Sequence, residues 1–223
     1  VLHSAALHYR GLTILALGPS GAGKSTLCAA ALRAGGRVVS DDLVLLTQPD
    51  EPADVGSQIW LHPYRADMLL REGSHRLLPN ALADTLKPEQ RLSGPKLRLD
   101  RGVAPEAFAA RAALSCIAIL GQGPRRASSQ VRPLDQAGAL VGILSALLYR
   151  LSPIARGPLM DAARRLASGY PAVQLDVGAR LLSAPVDELE HIHRALLSAR
   201  KTAGASADDG SLRLAANSSA TVA

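Results

Sequence analysis

The 223 residues suffice for one well-packed domain with some tail left over, and only 3 % of them are aromatic, so the core is expected to be aliphatic. The net charge of +6 comes mostly from arginine, and no basic run interleaved with aromatics indicates nucleic-acid binding. The two cysteines are too few for a disulfide framework. The sequence contains no uninterrupted apolar run of about 18 residues, so no membrane span is predicted. Without an export signal in the sequence, the expected location is the cytoplasm.

The first 47 residues carry alternating strand and helix signals around a glycine-rich stretch. Residues 4–9 and 12–17 are predicted strands, joined by a tight turn at Arg10-Gly11. A helix is predicted over residues 25–34, where Gly35-Gly36 ends it. Residues 37–40 and 43–47 then continue as strand. This order of strand, glycine loop, helix and strand is the context that a phosphate-binding loop requires.

The rest of the chain gives weaker signals. The predicted elements are a loop at 48–56, a strand at 57–61, a helix at 63–71, mixed structure at 72–98, a buried strand at 114–120, an exposed loop at 121–133, helices at 135–151 and 158–168, a strand at 172–175 and a last helix at 185–200. Residues 201–223 consist largely of small and polar residues and are predicted to be disordered. Residues 1–200 are therefore predicted to form a single domain.

The glycine-rich stretch matches the phosphate-binding pattern at each fixed position. The predicted phosphate-binding residues are Gly18, Pro19, Ser20, Gly21, Ala22, Gly23, Lys24, Ser25 and Thr26. Glycines let successive backbone N–H groups point at one anion, and the helix that follows adds its own N–H groups and dipole. Lys24 would place its charge on the β and γ phosphates of ATP, and Ser25 would supply a hydroxyl to Mg²⁺. In the empty loop, Lys24 is expected to face solvent.

An acidic pair, Asp41-Asp42, follows the strand predicted after this helix. Ligands of open α/β sheets bind at the carboxyl ends of strands. One carboxylate at that edge can hold Mg²⁺, and a second can accept the proton of an attacking hydroxyl in phosphoryl transfer. A solvated turn or a cap on the next segment is the alternative interpretation of this pair.

These residues together resemble the kinase domain of HPr kinase/phosphorylase and its smaller relatives. The resemblance covers roughly the first 46 residues and is carried by His3-Ser4-Ala5-Ala6, by residues 11–15, by the loop and by residues 36–42. Residues 59–63 and 94–99 resemble the related kinases found beside peptide-modification genes, including kinases of lasso peptides. The resemblance implies an α/β fold, a P-loop-containing kinase domain of the HPr kinase/PEP carboxykinase-like type, with a mixed sheet and flanking helices.

The resemblance also implies roles for single residues. Asp42 corresponds to the general base, Asp41 lies nearer the metal with Ser25, and His3 lies close to the phosphates. Lys96 resembles a recurrent lysine of the related group, with a solvated loop lysine as the alternative. The family's Glu-[Ile/Val]-Arg-Gly-x-Gly motif is absent from this sequence, so the resemblance leaves phosphorylase activity open.

The expected activity is therefore ATP- and Mg²⁺-dependent phosphorylation of a serine hydroxyl on a peptide or small protein. Another P-loop enzyme, either a small-molecule kinase or a transport-type ATPase, is the alternative, and a non-catalytic nucleotide-binding regulator is a third. The expected partner is the acceptor peptide or protein, with neither a membrane nor a nucleic acid. The parent family is hexameric, and a homo-oligomer is left open here.

Overall fold

The computed structural model describes residues 1–47, 58–65, 67–91, 94–121, 126–147 and 156–217. The predicted loop at 48–56 lies outside these residues. The described strands are β1 (Leu2–Tyr9), β2 (Leu12–Leu17), β3 (Arg37–Ser40), β4 (Leu43–Thr47), β5 (Trp60–Pro63), β6 (Met68–Leu70), β7 (Lys87–Arg91), β8 (Gly94–Leu99), β9 (Ala112–Ala113), β10 (Cys116–Leu120), β11 (Gln130–Leu134) and β12 (Ala172–Asp176). The helices are α1 (Lys24–Arg33), α2 (Glu72–His75), α3 (Asn80–Ala83), α4 (Gln136–Leu147), α5 (Arg156–Gly169), α6 (Arg180–Ser183) and α7 (Pro185–Asn217), with a 3₁₀ turn at Pro105–Ala107.

A mixed sheet runs through the molecule, as the sequence predicts. Its order is β11-β12-β10-β2-β1-β4-β5-β9, and β3 also pairs with β1. The neighbours β12, β10 and β2 are parallel, and the other pairs of this sheet are antiparallel. A second, three-stranded sheet has the order β6-β8-β7.

Two apolar cores cover the two faces of the large sheet. Along β2 the buried side chains alternate, so that Ile14 and Ala16 face one core while Leu15 and Leu17 face the other. Helices α1, α6 and α7 contribute to the first core, and α4 and α5 contribute to the second. Every residue of β2 is buried, which is typical of a central strand covered by helices on both sides. No helix in the described part of the chain is both long and apolar enough to cross a bilayer.

The hairpin β1-β2 sets the position of the site. Arg10 and Gly11 both have positive φ, 46° and 76°, as a two-residue hairpin turn of the favoured twist requires. At the other end of the hairpin, Ser4 pairs with Leu17, the last residue of β2. The chain from β3 into β4 runs antiparallel to β1 on its opposite side and is interrupted at Asp41-Asp42. Because the N–H of Ser4 donates to the carbonyl of Asp42 (3.0 Å), the interruption lies level with the end of β2.

Several predicted elements need correction. The helix predicted over 63–71 is wrong, since Met68–Leu70 is strand β6 and pairs with β8. The exposed loop predicted at 121–133 is wrong at its end, where Gln130–Leu134 forms the edge strand β11. Pro133 is tolerated there because an edge strand leaves one row of N–H groups unpaired. In both cases the pairing partner lies about 30 or more residues away in sequence, so local composition carried no signal for it.

The last helix extends beyond the predicted end at Arg200. Helix α7 spans Pro185–Asn217, and residues 218–223 lie outside the described part of the chain. The predicted helix end at Arg200 is therefore wrong, because the helix continues to Asn217. That residues 201–223 add little to the stability of the domain remains a prediction.

Candidate active site

One cleft brings together residues from five separate stretches of the chain. It opens where β2 ends, where β1 begins and where β3 gives way to β4. Of the predicted site residues, the cleft is lined by His3, Ser20, Gly21, Gly23, Lys24, Ser25, Thr26, Asp41, Asp42 and Lys96. The acidic pair and Lys96 thus line the same cleft as the glycine loop.

The remaining predicted loop residues, Gly18, Pro19 and Ala22, do not line the cleft but set the path of the loop backbone. A Cβ on Gly18 would lie 3.0 Å from both the Cβ and the carbonyl oxygen of Leu120, so only glycine lets the loop leave β2 this close to β10. The N–H of Ala22 donates to the carbonyl of Pro19 (3.3 Å), which closes the loop on itself. Gly23 has a φ of 100° and lies at the N-terminus of α1, where its carbonyl accepts the N–H of Leu27.

Lys24 does not face solvent, contrary to the expectation from sequence. Its side chain folds back over the loop, and Nζ donates to the carbonyls of Gly18 (2.7 Å) and Pro19 (3.0 Å). The residue is only 7 % exposed, and burial lowers the pKa of its ammonium group. The loop carbonyls thus hold the cation at the cleft wall, from which an anion in the cleft could attract it.

Asp41 is the buried member of the acidic pair. It is 5 % exposed, and its Oδ2 accepts the backbone N–H of Leu69 (3.0 Å). Burial raises the pKa of this carboxyl from 3.8 to about 7, against the opposing effect of the Leu69 hydrogen bond. Its ionised form is therefore costly, and a cation bound beside it would lower that cost.

Asp42 lies in a different environment, although it is the next residue. Its Oδ1 is 3.1 Å from Nε2 of His3, and the two side chains are 38 % and 36 % exposed. The hydrogen bond from His3 lowers the pKa of Asp42 more than partial burial raises it. Asp42 is therefore an ionised, accessible carboxylate at neutral pH, with its position fixed by the first residues of β1.

Three cleft residues were not predicted from the sequence: Leu69, Arg71 and Ser74. Ser74, on α2, lies with its Oγ 3.2 Å from Oγ1 of Thr26. Lys96 reaches the same cleft because β8 pairs with β6, which places it near Leu70 and the Asp41 partner Leu69. Nothing in the composition of residues 67–75 indicated a site. The pairing of the small sheet brings them to the cleft.

The chemistry of the cleft fits a polyphosphate with a divalent cation. Lys24, Arg71 and Lys96 are cationic, while Asp41 and Asp42 offer carboxylate oxygens. No group of three or more His, Cys, Asp or Glu among the described residues could hold a metal ion by itself. Mg²⁺ commonly binds through one or two carboxylates and completes its shell with water and substrate phosphates. Ser25 and Asp41 line the same cleft and are the residues that would hold it.

Comparisons with known proteins give a distant structural match. No protein-family model matches the chain, and no curated protein matches it. Among solved structures, it is similar to the HPr(Ser) kinase/phosphatase from Coxiella burnetii, with 14 % identity and a TM-score of 0.42 over 88 % of this chain and 97 % of that chain. The reaction is therefore inferred from the residues of the cleft alone.

Proposed function

We propose that this chain is an ATP- and Mg²⁺-dependent phosphotransferase that phosphorylates a serine hydroxyl of a peptide or small protein. The observation that carries the proposal is the convergence, in one cleft, of the glycine loop with Lys24 and Ser25, the buried Asp41 and the accessible Asp42. Each group has a distinct place in phosphoryl transfer, where catalysis consists mainly of positioning and charge stabilisation.

The loop and its lysine would bind the donor. The backbone of residues 18–25 and the ammonium of Lys24 would hold the β and γ phosphates, with Arg71 and Lys96 adding positive charge at the cleft wall. Mg²⁺, when bound, would neutralise charge on the phosphate oxygens. Ser25 and Asp41 would hold it, since a cation favours the ionised form that burial disfavours in Asp41.

Asp42 would act on the acceptor. The acceptor serine oxygen forms a bond to the γ phosphorus, the bond from that phosphorus to the β–γ bridging oxygen breaks, and the serine proton passes to Asp42 as ADP leaves. Its exposed carboxylate can approach an acceptor from outside, whereas Asp41 is covered. His3 would keep one oxygen of Asp42 in place and leave the other free for the proton.

The test has two arms, donor binding and transfer. Calorimetry should show that the full chain binds Mg²⁺–ATP, and that Asp42→Asn binds it within a few-fold of wild type. With Mg²⁺–ATP and a library of serine peptides, mass spectrometry should then find phosphorylated serine, and Asp42→Asn should lose about 10²–10⁴-fold in rate. Asp41→Asn should instead change the dependence of the rate on Mg²⁺ concentration.

The same experiment separates the alternatives. Transfer to small-molecule hydroxyls but to no peptide would indicate a small-molecule kinase. ATP hydrolysis that no acceptor stimulates would favour a transport-type ATPase, and nucleotide binding without turnover would favour a regulator. Failure of wild type to bind nucleotide would overturn the proposal altogether. Full transfer by both aspartate variants would remove its chemical basis.

A further inference from the structure

The cleft continues past His3 into a second groove, which lies between the large sheet and helix α4. We call it the α4-side groove. It shares His3 and Ser20 with the cleft and extends along Ile119 of β10 and along Gly142 and Ala146 of α4. Its volume of about 820 Å³ is more than one amino-acid side chain would fill. A ligand bound at His3 could therefore extend from the cleft into this groove.

The groove adjoins the end of the cleft where the acceptor would bind. It is lined by the first residues of the glycine loop, 18–20, and not by residues 23–26 at the start of α1. In the proposed function, the N-terminus of α1 holds the donor phosphates and Asp42 receives the proton of the acceptor. His3, which is hydrogen-bonded to Asp42, lines the groove as well. The groove therefore begins next to the proposed base.

The floor of the groove is aliphatic. Strand β10 lies between β12 and β2 in the sheet, and Ile119 is its only residue that is not fully buried. Helix α4 passes over this side chain at Gly142, where a Cβ would lie 2.7 Å from Cγ1 of Ile119. Because Gly142 has no side chain with which to cover Ile119, part of the isoleucine remains accessible in the groove. An apolar ligand could bury that surface.

The polar side chains of the groove already have partners within the chain. Oγ of Ser145 donates to the carbonyl of Val141 (2.8 Å), and Nε2 of Gln174 donates to Oδ1 of Asp176 (3.4 Å). Among the described residues that line the groove there is no aspartate, glutamate, lysine or arginine. A charged side chain placed there would lose hydration without gaining an ion pair, whereas an aliphatic one would gain contact.

We infer that the α4-side groove binds the acceptor peptide beside its serine, with an aliphatic side chain of the peptide packed against Ile119 and Ala146. This inference rests on the proposed function, because it takes Asp42 as the base that the serine approaches. An extended peptide advances about 3.3 Å per residue, so the aliphatic residue lies within about three positions of the serine. The acceptors of this chain are thus serines with an aliphatic rather than a charged neighbour.

The test measures transfer from Mg²⁺–ATP to alanine-glycine peptides with one central serine. In these peptides, each of the three positions on either side of the serine is replaced in turn by leucine or by glutamate. At one of these positions, wild type should prefer leucine to glutamate by about tenfold or more in kcat/KM, as expected for burial of an aliphatic side chain.

A substitution in the groove should reverse this preference. Ser145→Lys introduces a cation at an exposed position of α4 that lines the groove. It should lower kcat/KM for the leucine peptide by about tenfold and raise it for the glutamate peptide, a gain that a misfolded variant could not produce. Val141→Lys is the matched control, because Val141 lies on the same helix, is 65 % exposed and does not line the groove. It should keep the preference of wild type.

The outcomes separate this inference from the proposed function. If wild type phosphorylates no peptide, the proposed function fails and the inference fails with it. If wild type phosphorylates the peptides without preferring leucine, or if Ser145→Lys keeps that preference, the groove does not bind the acceptor while the proposed function stands. Calorimetry provides a further check. If Ser145→Lys weakened the binding of ATP but not of inorganic tripolyphosphate, which has no nucleoside, the groove would hold the nucleoside and the inference would be overturned.

Discussion

His3 and Asp42 form a hydrogen-bonded pair, with Nε2 of the imidazole 3.1 Å from Oδ1 of the carboxylate. The strand register explains the pair. His3 lies opposite Leu43 in β4, and the next residue of β1, Ser4, donates its N–H to the carbonyl of Asp42. The first residues of β1 thus hold this pair together, on the side of the cleft where an acceptor could enter.

Removing His3 should shift the pH dependence of phosphoryl transfer. The hydrogen bond from His3 lowers the pKa of Asp42, so His3→Ala should raise that pKa. Because the ionised carboxylate is the base, the acid limb of the kcat/KM profile should move to higher pH. His8→Ala is the control, since His8 lies on the same strand and bonds Thr13 instead (3.0 Å). An unmoved acid limb in His3→Ala would mean that Asp42 does not govern it.

Lys24 should contribute to stability as well as to phosphate binding. Its buried Nζ satisfies two loop carbonyls, so Lys24→Ala should lower the free energy of unfolding by about 1–3 kcal/mol and abolish tight binding of tripolyphosphate. Urea unfolding and calorimetry measure the two effects. Lys201→Ala, at an exposed lysine, should change neither. Unchanged stability in Lys24→Ala would indicate a side chain that faces solvent in the empty loop, as the sequence alone suggested.

Because of Asp41, the free energy of unfolding should fall as pH rises from about 4 to about 7. Its folded-state pKa is raised from 3.8 to about 7, so the folded protein binds a proton between these values that the unfolded chain releases. The stabilising contribution is complete below about pH 4 and is lost by about pH 7. In EDTA at pH 8, Asp41→Asn should therefore be more stable than wild type, by up to about 4 kcal/mol, with the difference shrinking toward pH 4.

Urea midpoints of wild type and variant between pH 4 and pH 8 measure this difference. Asp135→Asn is the control, because the exposed side chain of Asp135 accepts the N–H of Gly138 (2.7 Å) and its replacement keeps an acceptor there. It should retain the slope of wild type. A variant of Asp41 with the wild-type slope would show that another group causes the pH dependence.

Gly18 should tolerate no side chain. The Cβ of Gly18→Ala would lie 3.0 Å from the backbone oxygen and the Cβ of Leu120, so either the loop or the end of β10 must shift. We expect a loss of about 1–3 kcal/mol in stability together with weaker tripolyphosphate binding. Gly157→Ala, a helical glycine with open space around its Cβ, should be neutral or stabilising by up to about 1 kcal/mol. Thermal melts and calorimetry on both variants decide this, and wild-type behaviour of Gly18→Ala would contradict the rigid contact with β10.

The sequence by itself determined those elements that form between residues close together in the chain. The hairpin follows from two strand-like stretches joined by the tight turn at Arg10-Gly11, and the glycine loop and α1 follow from a contiguous pattern. The structure places the acidic pair beside the loop because β2 and β3 both run antiparallel to β1 and lie on its two sides. ATP, Mg²⁺ and the acceptor remain predictions, as does the small contribution of residues 201–223 to the stability of the domain.

Only the tertiary structure decided how the neighbours Asp41 and Asp42 differ. Strand β6, built from a stretch that local composition assigned to a helix, pairs with β8 and places Leu69 over Asp41, while the start of β1 places His3 beside Asp42. One carboxyl is therefore buried and has a raised pKa, and the other is accessible and has a lowered one. Burial and hydrogen bonding set these properties. The residues that cause them, Leu69 and His3, lie 28 and 39 positions away in the chain, so the sequence around the pair could not show them.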